Sequence, residues 1–310
     1  MKEFLFKDIN VVLADSDHSY RHTIFNMLRN IGLRKIRQAA SLVEIRGVMG
    51  EPAADILICE AELSDGKFSD FVYEVRNGDF GNNPFIAMLT VTAEPTKELV
   101  RTVIDSGSDD LLTKPLSAAQ IKDRITHLIE KRKPFVVTSD YIGPTRRDGN
   151  IRGAPIPLVD VPNTLREKAT GIKEDRHTQE KIDTAIRQIN LQKLKRHGDQ
   201  IVYLVDHIIA AIAAAENDEK THGHIERLNF VAEDTGRRLA NTDLEHITNL
   251  CQTLTEVSKR IRTNLKSPKQ KDLDLLPPLA AAIKAAFQMD TKDTASIADQ
   301  ISSELSNEDI

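Results

Sequence analysis

Five short apolar runs alternate with five amphipathic segments between Ile9 and Lys131, and that alternation restricts what this part of the chain can fold into. The runs are Ile9–Ala14, Lys35–Ala39, Asp55–Cys59, Pro84–Leu89 and Asp110–Thr113. Strands of about five residues separated by helix-length segments predict βαβ units and a parallel sheet. Ile56–Ile58 and Phe85–Leu89 show no polar alternation, as strands covered by helices on both faces require. Polar residues gather where the runs end: Asp15, Ser16, Asp17, Glu60, Thr92 and Lys114. In an open parallel sheet those ends form the crevice where ligands bind.

Local signals set the helices between the strands. The first is expected from His18 to about Asn30, with Ile24, Phe25, Leu28 and Ile31 at helical spacing and Ser16 or Asp17 as its N-cap. The others are expected after Ser41, near Lys67, near Thr96 and after Ser117, where Pro115 keeps the preceding connection extended.

Ser-Gly-Ser-Asp-Asp-Leu-Leu-Thr-Lys-Pro-Leu (106–116), Leu-Ala-Asp-Ser-Asp (13–17) and Leu-Ser-Asp-Gly-Lys-Phe (63–68) occur in that architecture, with Thr92 placed 22 residues before Lys114. Together they resemble the receiver domain of two-component response regulators, a flavodoxin-like (βα)5, CheY-like fold, over about Ile9 to Lys131. The resemblance implies an acid pair at Asp15 and Ser16, an acceptor at Glu60, a switch hydroxyl at Thr92 and a pairing ammonium at Lys114. It also implies Mg²⁺, which would neutralise phosphoryl oxygens during transfer from a histidine.

Two departures act against that chemistry. Ser16 replaces the second carboxylate expected to hold the metal, leaving Asp15 and Asp17 as candidate ligands. Glu60 stands where the family carries aspartate, and its extra methylene moves the carboxylate about 1.5 Å further out. Misplacement near 1 Å can cost about 10²-fold in rate. Leu111 occupies the position where the family often carries a rotating aromatic. The reading is a pseudo-receiver without standard phosphotransfer. Either Glu60 imitates the phosphorylated form, with Thr92 drawn inward, or it is an inert salt-bridged residue. Cys59 reads as a small core residue in preference to a redox sensor.

At 310 residues the chain exceeds one core, and boundaries are expected at 1–133, 134–162 and 163–310. The middle stretch is broken by Pro134, Gly143, Pro144 and Gly149, includes the β-prone Phe135–Thr138, and is too apolar for a free tether. Tyr141, Arg146 and Arg147 are candidates for a partner-docking arm, against an ordered linker with solvated arginines. From Asn163 onward only helical stripes occur. They predict two helices separated near Gly198, another with Ile225–Leu239, a long one over Asp243–Leu265 capped by Asn241, Thr242 or Asp243, and a final pair near Leu279–Phe287 and Thr294–Leu305. These faces must be buried, so an all-α bundle follows, with a seam that also suits a homodimer.

Net charge of −5 argues against general nucleic-acid binding. Two distant cysteines give no disulfide or zinc spacing, the N-terminus lacks a signal-peptide core, and Ile201–Ala215 is too short to span a bilayer, so a reducing cytoplasm is expected. No nucleotide or phosphate-loop motif occurs, and no enzyme is expected. His197, His207, His222, His224 and His246 lack phosphotransfer motifs and read as surface or packing histidines. The expected function is an atypical response regulator that acts by contact with signalling proteins. The alternatives are a DNA-binding regulator using the basic run Lys259, Arg260, Arg262, Lys266, Lys269 and Lys271, or a phosphatase of other receivers using Glu226 and Asn229.

Overall fold

The computed structural model describes residues 4–50, 52–146, 157–171, 178–214, 218–240, 242 and 244–287. Two compact units divide the chain, Met1–Ile189 and Asn190–Ile310. The expected edge at 162/163 lies inside the first.

The first unit begins with a 3₁₀ turn (Phe6–Asp8) and continues β1 (Asn10–Ala14), α1 (His18–Ile31), β2 (Lys35–Ala39), α2 (Leu42–Val48), β3 (Ile56–Glu60), β4 (Glu62–Leu63), β5 (Gly66–Lys67), α3 (Phe68–Asn77), β6 (Ala87–Thr92), α4 (Lys97–Ser106), β7 (Asp110–Thr113) and α5 (Ala118–Lys131). Five parallel strands pair in the order β2-β1-β3-β6-β7. This is the doubly wound order, and its direction reverses beside β1, which puts the crevice at the ends of β1 and β3.

The helices start where short polar side chains replace missing backbone partners. Asp17 caps α1 by accepting the Ser19 and Tyr20 amides, Ser41 caps α2, Thr96 caps α4, and Ser117 forms a reciprocal capping box with Gln120 on α5. Apolar side chains cover both sheet faces. Val11, Leu13, Ile56, Ile58 and Leu89 meet Ile24, Leu28, Ile121 and Ile125 from α1 and α5 on one side. On the other, Val12, Leu57, Cys59 and Met88 meet Ile45, Phe68, Phe71 and Val72 from α2 and α3.

The fourth strand begins three residues later than the apolar run predicts. The carbonyls of Pro84, Phe85 and Ile86 accept guanidinium hydrogen bonds from Arg76 and Arg132 and not from a neighbouring strand. Beyond α5 the chain forms a small antiparallel sheet, β10-β8-β9, from β8 (Phe135–Val137), β9 (Ile142–Pro144) and β10 (Leu158–Val159). Phe85, Phe135, Val137, Ile142 and Val159 make a core with Ile182, Ala185 and Ile189. Helix α6 (Thr164–Thr170) adds Leu165 and Ala169 to the core under α1 and α5.

Helix α7 (Thr178–Ala213) is continuous, and the unit boundary falls within it. The break expected near Gly198 is absent. Gly198 is buried, and a Cβ there would stand 3.2 Å from the Lys284 Cα and 3.1 Å from Phe287, so this glycine admits a close helix approach and does not end a helix. Then follow α8 (Glu219–Leu239), a 3₁₀ turn (Glu245–Ile247), α9 (Thr248–Thr263) and α10 (Gln270–Ala286). Helix α10 starts nine residues before the expected Leu279 and runs through Pro277 and Pro278. Ile201, Leu204, Leu228, Val231, Leu254, Val257, Leu279 and Ile283 lie in one buried core. Asn241, Asp243, Arg147 and the helix expected at 294–305 lie outside the described residues.

Candidate functional site

Three strand ends deliver the crevice. Asp15 follows β1, Glu60 is the last residue of β3, and Lys114 follows β7. The Lys114 ammonium donates to Asp15 Oδ2 at 2.8 Å and to Glu60 Oε1 at 2.6 Å. Side-chain exposure is 5% for Lys114, 1% for Asp15 and 20% for Glu60, so the contact is largely screened from water. The Ser16 hydroxyl donates to Glu60 Oε2 at 3.1 Å, and the Asp17 amide donates to Asp15 Oδ1 at 2.9 Å. Every oxygen of Asp15 and Glu60 therefore has a donor inside the protein.

Electrostatics follow from this packing. Burial is the largest influence on Asp15 and raises its pKa; the Lys114 hydrogen bond opposes it, Glu60 reinforces it, and the net direction is up. Burial also pushes Glu60 upward, but the hydrogen bond from Lys114, with the neighbouring Asp15 and the Ser16 hydroxyl adding to it, outweighs burial and the net direction is down. For Lys114, burial favours the neutral amine, while the two carboxylates prevail and hold its pKa above the ordinary value. Burial keeps the Cys59 thiol well above its usual range, as suits a core residue.

Mg²⁺ demands near-octahedral oxygen ligation. The residues present do not fit it. Ser16 is neutral, the Lys114 ammonium already holds both carboxylates, and the candidate ligand Asp17 turns to cap α1 through the amides of Ser19 at 2.7 Å and Tyr20 at 3.1 Å. Among the described residues no group of three or more His, Cys, Asp or Glu side chains is placed to hold a metal.

Thr92 is buried at the end of β6, yet its hydroxyl accepts the Glu94 amide at 3.2 Å and contacts neither Glu60 nor Lys114. This local turn is the arrangement of the inert alternative, in which Thr92 is not drawn inward. Tyr20 was not legible in the sequence as a site residue. Its ring lies 4.3 Å from the Lys114 ammonium, and only its position in the first turn after the Asp17 cap hinted at this.

Tyr141 and Arg146, candidates for a docking arm or for an ordered linker, bond within their own domain. The Tyr141 hydroxyl donates to the Pro144 carbonyl at 2.8 Å, and Arg146 donates to the carbonyls of Ser108 and of Asp109. They join a hub that sequence reading missed. Asp109, its side chain 1% exposed, accepts from Arg76 at 2.9 Å and from Arg132 at 2.8 and 3.0 Å, and Phe135 lies under both guanidinium groups. Because β7 starts at Asp110, the hub occupies the sheet end opposite the crevice.

In the second unit, Asn229 is buried and its side-chain oxygen accepts the Ser258 hydroxyl. Glu226 pairs with Arg262 at 3.4 Å. Within the basic run, Lys259 pairs with Glu233 at 3.0 Å and Arg260 with Asp272 at 2.8 Å, which neutralises much of the patch offered to nucleic acid. No described helix is long and apolar enough to cross a membrane.

Comparison with known proteins places the response regulator receiver domain at residues 11–126. Chemotaxis protein CheY-3 of Vibrio cholerae is 19% identical over 131 residues, 42% of this chain and 99% of that protein. Among solved structures, Vibrio cholerae CheY4 covers 38% of this chain and 97% of its own at 20% identity and TM-score 0.35. A CheY-like receiver domain protein from Methanospirillum hungatei covers 40% and 95% at 14% identity and TM-score 0.36.

Proposed function

From the receiver domain at residues 11–126, we propose that this chain is an atypical response regulator of a two-component system, working by protein contact without standard aspartate phosphorylation. One observation carries the reading: Lys114 bonds both Asp15 and Glu60, and Ser16 takes the remaining Glu60 oxygen. An incoming phosphoryl group and its metal would have to break all three contacts, and the acceptor would still stand about 1.5 Å from where an aspartate reaches. The platform around the crevice is intact, so its surface remains fit for signalling partners. The chain is no enzyme on this reading, it acts in the cytoplasm as a homodimer, and it does not recognise nucleic acid.

The test is incubation of the full chain with acetyl phosphate and Mg²⁺, followed by intact mass measurement. No acid-labile phosphoryl adduct is expected. A stoichiometric adduct on Glu60 overturns the proposal. Light scattering checks the dimer separately.

A further inference from the structure

In the second unit, His207 on α7 and His224 on α8 are neighbours, with ring centroids 5.8 Å apart and planes at 82°. They come from different helices, so the sequence spacing of 17 residues carries no motif. His207 Nδ1 lies 2.8 Å from the Tyr203 carbonyl, which can only accept; Nδ1 therefore carries a proton, which leaves Nε2 as the nitrogen that can ligate. Tyr203 lies against the same imidazole, 3.9 Å between centroids and tilted by 35°. A backbone carbonyl that fixes the tautomer is the usual outer partner of a metal-ligating histidine.

Distance agrees with this chemistry. An imidazole nitrogen binds a divalent transition ion at about 2.0–2.1 Å, which places the ion about 3.2 Å from each ring centroid. Two such rings around one ion stand about 5–6 Å apart. We propose that His207 and His224 form a two-imidazole site for a borderline divalent transition ion, Zn²⁺, Ni²⁺ or Cu²⁺, which bridges α7 and α8. Water completes the coordination, because no third His, Cys, Asp or Glu joins the pair among the described residues. Imidazole ligands select these ions over Mg²⁺ and Ca²⁺. A second pair, His18 and His22, lies one turn apart on α1 with rings stacked at 6.4 Å, and the His22 variant separates binding there from binding at His207 and His224.

The experiment is Zn²⁺ titration by calorimetry of the untagged full-length chain, beside the His207→Gln, His224→Gln and His22→Gln variants, with circular dichroism confirming that each is folded. About one equivalent should bind wild type and the His22 variant alike, and affinity should fall about tenfold or more in each of the other two. Electron paramagnetic resonance of the Cu²⁺-loaded chain should show two equatorial nitrogens, reduced to one in His224→Gln. Equal affinity in all four proteins, loss only in the His22 variant, or no binding at millimolar Zn²⁺ overturns the proposal.

Discussion

Changing Glu60 to aspartate withdraws the carboxylate by about 1.5 Å, which removes it from the Lys114 and Ser16 contacts, and changing Ser16 to aspartate adds the missing charge beside it. The Ser16→Asp/Glu60→Asp double variant should therefore gain an acid-labile phosphoryl group from acetyl phosphate and Mg²⁺ where wild type gains none; mass spectrometry of both proteins decides. A pH dependence follows from the same three side chains. Glu60 is held below its ordinary pKa, so its contribution to stability is present above the unfolded value and lost as pH falls through the folded one. Lys114 is held above its ordinary pKa, so its contribution is present below that value and lost as pH rises through the folded one. Asp15 is raised and has the opposite sign to Glu60, offsetting part of its acid-side effect. The triad contribution should thus persist between roughly pH 5 and pH 10. In Lys114→Met both carboxylates lose their shared cation, and carboxyl NMR should show both titrating at higher pH than in wild type. Glu60 titrating in wild type at or above the ordinary glutamate value would contradict the assignment. The members of this triad were legible because strand ends converge in any doubly wound sheet. Tyr20 and the true bond of Thr92 were not, since the direction of a side chain depends on neighbours far along the chain.

Caps and strand periodicity gave most elements their starting residues. Asp17, Ser41, Thr96 and Ser117 each act within three residues of themselves, so the information is local. The late start of β6 was invisible for the opposite reason: it is set by Arg76 and Arg132, and these meet Asp109 across 33 and 23 residues. Burial pushes Arg76 down to about 10, yet the Asp109 charge keeps it protonated at neutral pH. Removing that charge leaves two buried guanidinium groups unpaired. Asp109→Ala should cost about 3–5 kcal/mol in urea unfolding, and it should also expose β8 and β9 to limited proteolysis, because Arg132 and Phe135 leave the same hub. A loss below 1 kcal/mol would show that the hub is not what seats this sheet. Gly198 misled as a helix break because a glycine that ends a helix and one that admits a neighbour look alike in sequence. Gly198→Val should destabilise the chain by about 1–3 kcal/mol through overpacking against Lys284 and Phe287, readable as a lower urea midpoint with an unchanged slope.

Across the whole molecule, apolar residues divide into cores that do not share members. Ile58 belongs to the sheet core of the first unit, and Leu228 to the helical core of the second. Both are at most 1% exposed, so truncation of either to alanine removes a similar apolar contact and should cost about 2–5 kcal/mol. Native-state openings follow cooperative units that share a core. Hydrogen exchange read by mass spectrometry should therefore speed up in peptides from residues 10–131 for Ile58→Ala and leave residues 219–287 near their wild-type rates. Leu228→Ala should do the reverse. This division separates two jobs physically: the crevice chemistry depends on strand ends in the first core, whereas the His207–His224 pair depends on helices packed by the second. If each variant instead accelerated exchange evenly along the chain, the two cores would be one folding unit, and a change in the crevice and a change between α7 and α8 could no longer be assigned independently.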